Sequence, residues 1–292
     1  MTAQPVTVIG ERINPGFRSV EPFFAGRDFA GLQALARRQA DAGAAWLNIN
    51  ASQYEQRDPG LMVDLVRAIQ QVVDTPLSLD SPDPQVQQAC LQAYDAARAR
   101  GRKPIINSLT EARWSMAGLL ERHPARIMVM ASERLQDGEP VRNTTAAEVH
   151  ETARRLVRRL AAEHGVARDD IIIDIAISNL AADTEGLVPV AIESVRLIGA
   201  DPELAGVHLC GGLSNISQDL PARTRAGVML KDAIENAFLT LTVPAGLDMV
   251  IGTPWKPYRL LPADDPLLQE FREILLCPRR EALRRIIRLQ RS

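Results

Sequence analysis

Eight short apolar runs, each followed by a longer stretch with helical spacing, recur along the chain and restrict its fold more than any other feature. They are VTVIGE (6–11), AAWLNIN (44–50), PLSLD (76–80), KPIINS (103–108), RIMVMAS (126–132), DIIIDIAI (170–177), GVHLCG (206–211) and LDMVIG (247–252). Most are continuously apolar rather than alternating, the pattern of parallel strands buried on both faces. The intervening segments carry helix signals. Leu and Ala repeat at helical spacing over 29–42 before Gly43, and Pro-Asp-Pro at 82–84 suits the first turn of a helix. Thr145 and Glu148 form a capping box ahead of a helix running to about Gly165. Further helical patterns span about 222–242 and about 266–290. Eight strands alternating with helices predict an α/β fold, a closed (β/α)8 TIM barrel. We read residues 1–292 as a single domain with a helical extension over about 262–292. A doubly wound open sheet is the alternative, but no GxGxxG follows the first strand.

Charge and composition exclude several functions. Lys and Arg (34) nearly cancel Asp and Glu (36), which argues against nucleic acid and membrane-surface partners. The start of the chain lacks a basic region followed by a long apolar run, and no apolar stretch reaches membrane-spanning length. Cys90, Cys210 and Cys277 are scattered, with no CxxC, so a reduced, cytoplasmic protein is expected. The four histidines show no HxxxH or His/Cys spacing, so no protein-built metal site is expected. No GxSxG or GxxxxGK[ST] occurs. Cys210, inside a strand, reads as packing. Arg154, Arg155, Arg158 and Arg159 read as a solvated helix face.

The chemistry is expected at the C-terminal ends of the strands, where barrel enzymes carry their sites. Collecting the polar residues there gives Glu11, Arg12 and Asn14, then Asn48 and Asn50, Asp80 and Ser81, Asn107 and Ser108, and Asp174. The seventh strand opens into Ser214, Asn215, Ser217 and Gln218. Each has a plainer reading: Asp80 as a helix cap, Asn107 as a turn residue, Asp174 as half of a salt bridge. Asp174 sits among isoleucines, and a buried carboxylate needs a partner. Brought to one mouth, carboxylates can accept paired N–H groups from an amidine-like edge, and amides supply donors and acceptors together. That set suits a polar heterocycle such as a pterin.

VIGERIN (8–14), LNIN (47–50), LDS (79–81), INS (106–108), IIID (171–174) and GGLSNISQ (211–218) together resemble the pterin-binding methyltransferases, above all the methyltetrahydrofolate:corrinoid protein methyltransferases. The folate domain of cobalamin-dependent methionine synthase and dihydropteroate synthase are more distant relatives. The resemblance runs in order from about residue 8 to about residue 252. It implies a homodimeric barrel that moves a methyl group between N5 of tetrahydrofolate and the cobalt of a corrinoid. It also implies Asp80, Asn107 and Asp174 as holders of the pterin, Asn215 as the amide reaching N5 with Asp174 acting behind it, and Gln218 nearby. Glu11, Asn50 and Ser214 complete the expected pocket, and Arg223 aligns with an arginine beyond the motif.

The chain has no Asp-x-His-x-x-Gly, the lower-ligand signature of corrinoid carriers, so cobalamin is expected on a partner protein docking at the barrel mouth, or free. Two rivals remain. A dihydropteroate synthase needs a basic diphosphate site late in the barrel, and MVIGTPWKPYR offers no good equivalent. A non-catalytic pterin-binding subunit would not need an intact GLSNISQ. The chain departs from the family after Asp174, where Ile175 replaces a common proline, and the loop 178–186 is expected to reshape the pocket or the partner surface. Trp255 and Tyr258 are expected to pack, and the Arg279 to Arg291 helix to be solvated.

Overall fold

A computed structural model describes residues 5–58 and 60–291. Strands β1 (Thr7–Ile13), β2 (Trp46–Ile49), β3 (Leu77–Asp80), β4 (Ile105–Leu109) and β5 (Arg126–Met130) run parallel in sequence order. A hairpin, β6 (Glu133–Gln136) and β7 (Glu139–Arg142), then stands apart from the sheet. Strands β8 (Ile171–Asp174), β9 (His208–Cys210) and β10 (Met249–Gly252) complete the ring, with β10 pairing back on β1. A parallel bridge between Gly212 and Ile251 joins β9 to β10 and closes the barrel. This is the expected (β/α)8 architecture.

The continuous apolar runs separate into two cores. Ile171 and Ile173 belong to the layer between sheet and helices, together with Leu47, Leu77, Ile106, Val129 and Val250. Ile172 points the other way, into a separate cluster with Ile9, Ile105, Met128, Cys210 and Met249 that fills the barrel. Successive strand residues face opposite sides, so a strand with both sides buried needs apolar residues at every position. Cys210 is fully buried in that interior, the packing role expected of it.

Some boundaries differ from the sequence reading. The strand expected over 170–177 stops at Asp174, whose Oδ1 accepts the Ala176 N–H at 2.7 Å while Ala176 turns into the left-handed region at φ 51°. Helix Leu230–Thr242 begins well after 222, because Gly227 at φ 87° turns the chain first. The pattern over 266–290 is two helices, Pro266–Leu276 and Arg279–Arg291, broken at Pro278. The last helix is only partly solvated: Ala282 and Ile286 are buried, and Arg285 pairs with Glu270 at 3.0 Å. The loop 178–186 does not wall the cavity described below. Asp183 caps helix Leu187–Gly199 through the Leu187 and Val188 N–H groups and lies 3.6 Å from Arg279, tying the loop to the last helix. Tyr258 and Trp255 pack, the first through a hydrogen bond from the Thr253 N–H at 2.9 Å and the second beneath the Arg38 guanidinium.

The capping box at Thr145 is present, with Gly165 in the left-handed conformation ending that helix. On its outer face Arg154 and Arg158 pair with Glu203, and Arg159 with Glu163. No helix among the described residues is long and apolar enough to cross a membrane.

At the N-terminal end of the barrel, His208 Nδ1 lies 2.5 Å from Asp248 and its Nε2 3.3 Å from Asp169, which also takes Arg126 at 2.9 Å. The hydrogen bond with Asp248 raises the His208 pKa against the opposing effect of burial. The resulting stabilisation is complete below the ordinary value of about 6.5 and is lost as pH rises through the raised folded-state value. Urea unfolding at about pH 6 and about pH 9 is expected to show a loss in the wild type that His208→Gln lacks; equal slopes would refute the assignment.

Candidate functional site

The polar residues that follow the apolar runs meet in one cavity of about 360 Å³ at the C-terminal end of the barrel. This volume lies within the usual range for small-ligand sites. Its walls include Glu11 and Asn14 from β1 and its loop, Asn48 from β2, Asp80 from β3, Asn107 from β4 and Asp174 from β8. Ser214 and Asn215 enter from the turn after β9, and Phe17, Met130 and Ile177 supply apolar faces. Polar side chains and apolar faces thus line the same cavity.

These side chains form an ordered hydrogen-bonded array. Asn48 Nδ2 donates to Asp80 Oδ2 at 2.9 Å, and Asn107 Nδ2 donates to Asn48 Oδ1 at 3.1 Å. Asn48 therefore links Asp80 to Asn107 and fixes which oxygens still face the cavity. Behind them, Gln87 Nε2 donates to the carbonyls of Leu79, Ser81 and Asn107 at 2.6, 3.0 and 2.9 Å. That buried amide clamps the ends of β3 and β4 together. Glu11 is buried with both oxygens occupied, one by Ser214 Oγ at 2.7 Å and the other by Thr253 Oγ1 at 2.6 Å. Glu11 therefore positions the Ser214 turn and has little acceptor capacity left for a ligand.

The Ser214–Asn215 turn is held from below as well. Ser217 Oγ donates to Glu235 at 2.6 Å, and Glu235, fully buried, also takes Lys256 Nζ at 2.6 Å. The two glycines before the turn make room for it. A Cβ on Gly211 would meet Ile177 at 2.8 Å, and one on Gly212 would meet the Asn215 Nδ2 at 2.8 Å. Asn215 is exposed at the mouth, so its amide is accessible from solvent.

Asp80 and Asp174 form no salt bridge among the described residues. Burial raises the Asp80 pKa, opposed by hydrogen bonds from Asn48 and Asn50 and by the charge of Arg113. Asp174 is raised to about 6, chiefly by burial, with the Ala176 N–H opposing and the Asp80 charge adding to the rise. The site therefore concentrates negative charge where water is scarce, and a ligand rich in N–H donors relieves it.

The cavity gathers Glu11, Asp80, Asn107, Asp174, Ser214 and Asn215, as the strand-end rule predicts. Three expected residues fall elsewhere. Asn50 lies outside the cavity wall and supports Asp80 by a hydrogen bond. Gln218 lines a neighbouring cavity. Arg223 is exposed and donates to the Gly227 carbonyl at 3.2 Å; it lies in the turn where a helix had been expected. Asp80 caps no helix, since Asp83 caps Pro84–Ala93. The salt bridge considered for Asp174 is absent among the described residues. Asn48, rather than Asn50, lines the cavity, although both lie on the same face of the strand. Arg113, 3.5 Å from Ser108 Oγ, comes from a helical segment beyond β4 and has no strand-end signal. No group of His, Cys, Asp and Glu among the described residues could hold a metal ion.

Residues 21–252 match the family described as pterin binding enzymes, and the chain belongs to it. Among characterised relatives, a methylcorrinoid:tetrahydrofolate methyltransferase of Eubacterium limosum is 28% identical over 257 residues, covering 85% of this chain and 84% of that protein. Solved structures of dihydropteroate synthase share the fold. The Yersinia pestis enzyme superposes with a TM-score of 0.57 at 14% identity, covering 94% of this chain and 93% of that one. The Xanthomonas albilineans enzyme in complex with 7,8-dihydropteroate gives 0.53 at 20% identity, covering 94% and 95%.

The Asp174 environment yields a stability test. Its raised pKa means that proton uptake favours the fold below the ordinary value of 3.8, and that this gain disappears as pH rises through about 6. Asp174→Asn keeps an acceptor for Ala176 and removes the charge. At neutral pH the ligand-free variant is expected to be more stable by on the order of 1–3 kcal/mol, with a flatter pH profile on the acid side. Destabilisation in chemical unfolding would contradict this account.

Proposed function

We propose that the protein is a methyltransferase moving a methyl group between N5 of tetrahydrofolate and the cobalt of a corrinoid carried by a partner protein. The name of the Eubacterium limosum relative supports that reaction class. The observation that carries the reading is the junction in one cavity of two buried carboxylates, Asp80 and Asp174, with the exposed amide of Asn215. The carboxylates and Asn107 suit the N–H and carbonyl edge of a pterin, and Phe17 and Met130 suit its faces. Membership of the pterin binding enzyme family agrees with that ligand.

The chemistry asked of the chain follows from the leaving group. A methyl group leaves N5 of methyltetrahydrofolate only if the nitrogen gains a proton or a strong hydrogen bond, because an amine anion is a very poor leaving group. Asn215 can donate such a bond as charge develops, which lowers the reaction barrier more than it tightens ground-state binding, and N5 takes up a proton from solvent as the methyl group leaves. A carboxylate in the same place would be ionised and could not donate. Asp174 orients the ring and acts on N5 at longer range. In the opposite direction N5 loses its proton to solvent and the same amide releases N5 as the methyl group arrives. The corrinoid supplies the cobalt that exchanges the methyl group. Its carrier docks over the mouth, where Asn215 is exposed. Homodimerisation and a cytoplasmic location complete the reading.

Mixing the protein with methyltetrahydrofolate and reduced cobalamin, or with tetrahydrofolate and methylcobalamin, is expected to change the corrin absorbance. Folate binding without any spectral change would sink the assignment. Asn215→Ala is expected to reduce kcat by roughly 10²-fold with folate Kd little altered; equal losses in both would remove Asn215 from its role. Gly212→Ala should behave similarly, since the added methyl group displaces the Asn215 amide. A Gly212→Ala enzyme with normal turnover would show that the amide needs no such placement.

A further inference from the structure

A second cavity, of about 490 Å³, adjoins the first and shares Glu11, Asn14, Phe17, Ser214 and Asn215 as a common wall. Its charge is the opposite of its neighbour's. The first cavity is lined by Asp80 and Asp174 and by no Lys or Arg, whereas the second is lined by Arg12, Lys231 and Lys256. Its one carboxylate, Glu11, has both oxygens occupied by hydroxyls. Lys256 is already neutralised by Glu235. Arg12 and Lys231 are left, and neither forms a salt bridge among the described residues.

Arg12 lines this cavity with donor capacity to spare. Its guanidinium lies 3.8 Å over the Phe17 ring, and Nη2 donates to Ser19 Oγ at 3.1 Å. Its Nε is buried without a hydrogen-bond partner. Burial lowers the Arg12 pKa, with the Arg38 charge adding to the effect and Glu11 opposing it. A desolvated guanidinium with unused donors gains more from a ligand carboxylate than a solvated one does. Gln218, exposed on the same wall, adds an amide.

We propose that this second cavity seats the aminobenzoyl-glutamate tail of a reduced folate, with Arg12 and Lys231 taking its carboxylates. The proposal rests on the pterin reading of the first cavity. A reduced folate carries N–H donors at its pterin end and carboxylates at its glutamate end, and the two cavities present carboxylates and then cations in the same order. N5 and the ring carbon that bears the tail are neighbours in the pterin, and Asn215 stands on the wall common to both cavities. The residue proposed to reach N5 is therefore where the tail must leave the ring. Tail binding would also hold the ring against sliding past Asn215.

Calorimetric binding of 6-methyltetrahydropterin, which has no tail, reports on the first cavity alone. Tetrahydrofolate and its triglutamate report on both. The wild type is expected to bind tetrahydrofolate roughly tenfold or more tightly than the tail-less pterin. In Arg12→Gln, Lys231→Gln and their double variant that preference should shrink towards unity, with affinity for the tail-less pterin unchanged. The unchanged value also shows that the variants fold. Four outcomes would overturn the proposal: no preference for the tail in the wild type; a full preference in the double variant; unaltered folate affinity with a raised KM for the corrinoid protein; or tight, Arg12-dependent binding of inorganic pyrophosphate with no tail preference. Failure of the wild type to bind even the tail-less pterin would overturn the pterin reading, and this inference would fall with it.

Discussion

Two largely buried carboxylates in one cavity, with no salt bridge among the described residues, dominate the structure of this mouth. Burial raises the pKa of both, and the Asp80 charge adds to the rise at Asp174, so the pair opposes the compact state. Asp80 and Asp174 are tolerated because the surroundings supply neutral donors: Asn48 and Asn50 for Asp80, and the Ala176 N–H for Asp174. Amides stabilise a carboxylate while leaving its charge in place, which keeps the site receptive to N–H groups. An arginine clamped on either acid would have made the fold easier to stabilise and the cavity poorer at recognition. Much of the remaining architecture supports this arrangement, from the Gln87 clamp on three carbonyls to the Glu11 carboxylate fixed by two hydroxyls.

The turn after β9 meets a different requirement. Its Asn215 amide is exposed at the cavity mouth, while Leu213 and Ile216 of the same turn are buried in the core. Glu235 and Lys256 hold its base through Ser217, and Glu11 holds its tip through Ser214. Paired glycines leave the volume that Ile177 and Asn215 occupy. Position is thereby imposed from both sides on a side chain that makes few contacts itself, which is how a site residue can be both precise and exposed.

The alternation of apolar runs with helical segments made the barrel legible, since strands buried on both faces leave no other pattern. The strand-end rule then picked out Asp80, Asn107, Asp174, Ser214 and Asn215 without any knowledge of contacts. It could not rank Asn48 against Asn50. Both point inward, and only the stagger of β2 against β3 decides which lies between Asp80 and Asn107. Arg113 was invisible for a related reason: it arrives from the segment after β4, where φ −112° and ψ 34° interrupt the helical geometry. Arg223 was expected from the resemblance alone; its segment reads as helix, but Gly227 reverses the chain there and the side chain lies outside the cavity. The β6–β7 hairpin, by contrast, had a readable signal in Asp137-Gly138, both with positive φ, a pair that favours tight hairpin turns.

The division of the apolar residues into an inner plug and an outer layer has an evolutionary consequence. Ile9, Ile105, Met128, Ile172, Cys210 and Met249 fill the barrel without using the polar residues of the rim. Substitutions at the rim can therefore accumulate while the plug keeps the cylinder shut. Such a scaffold can exchange one reaction for another over deep time, and chains sharing 14 to 20% of their residues can still trace the same path in space.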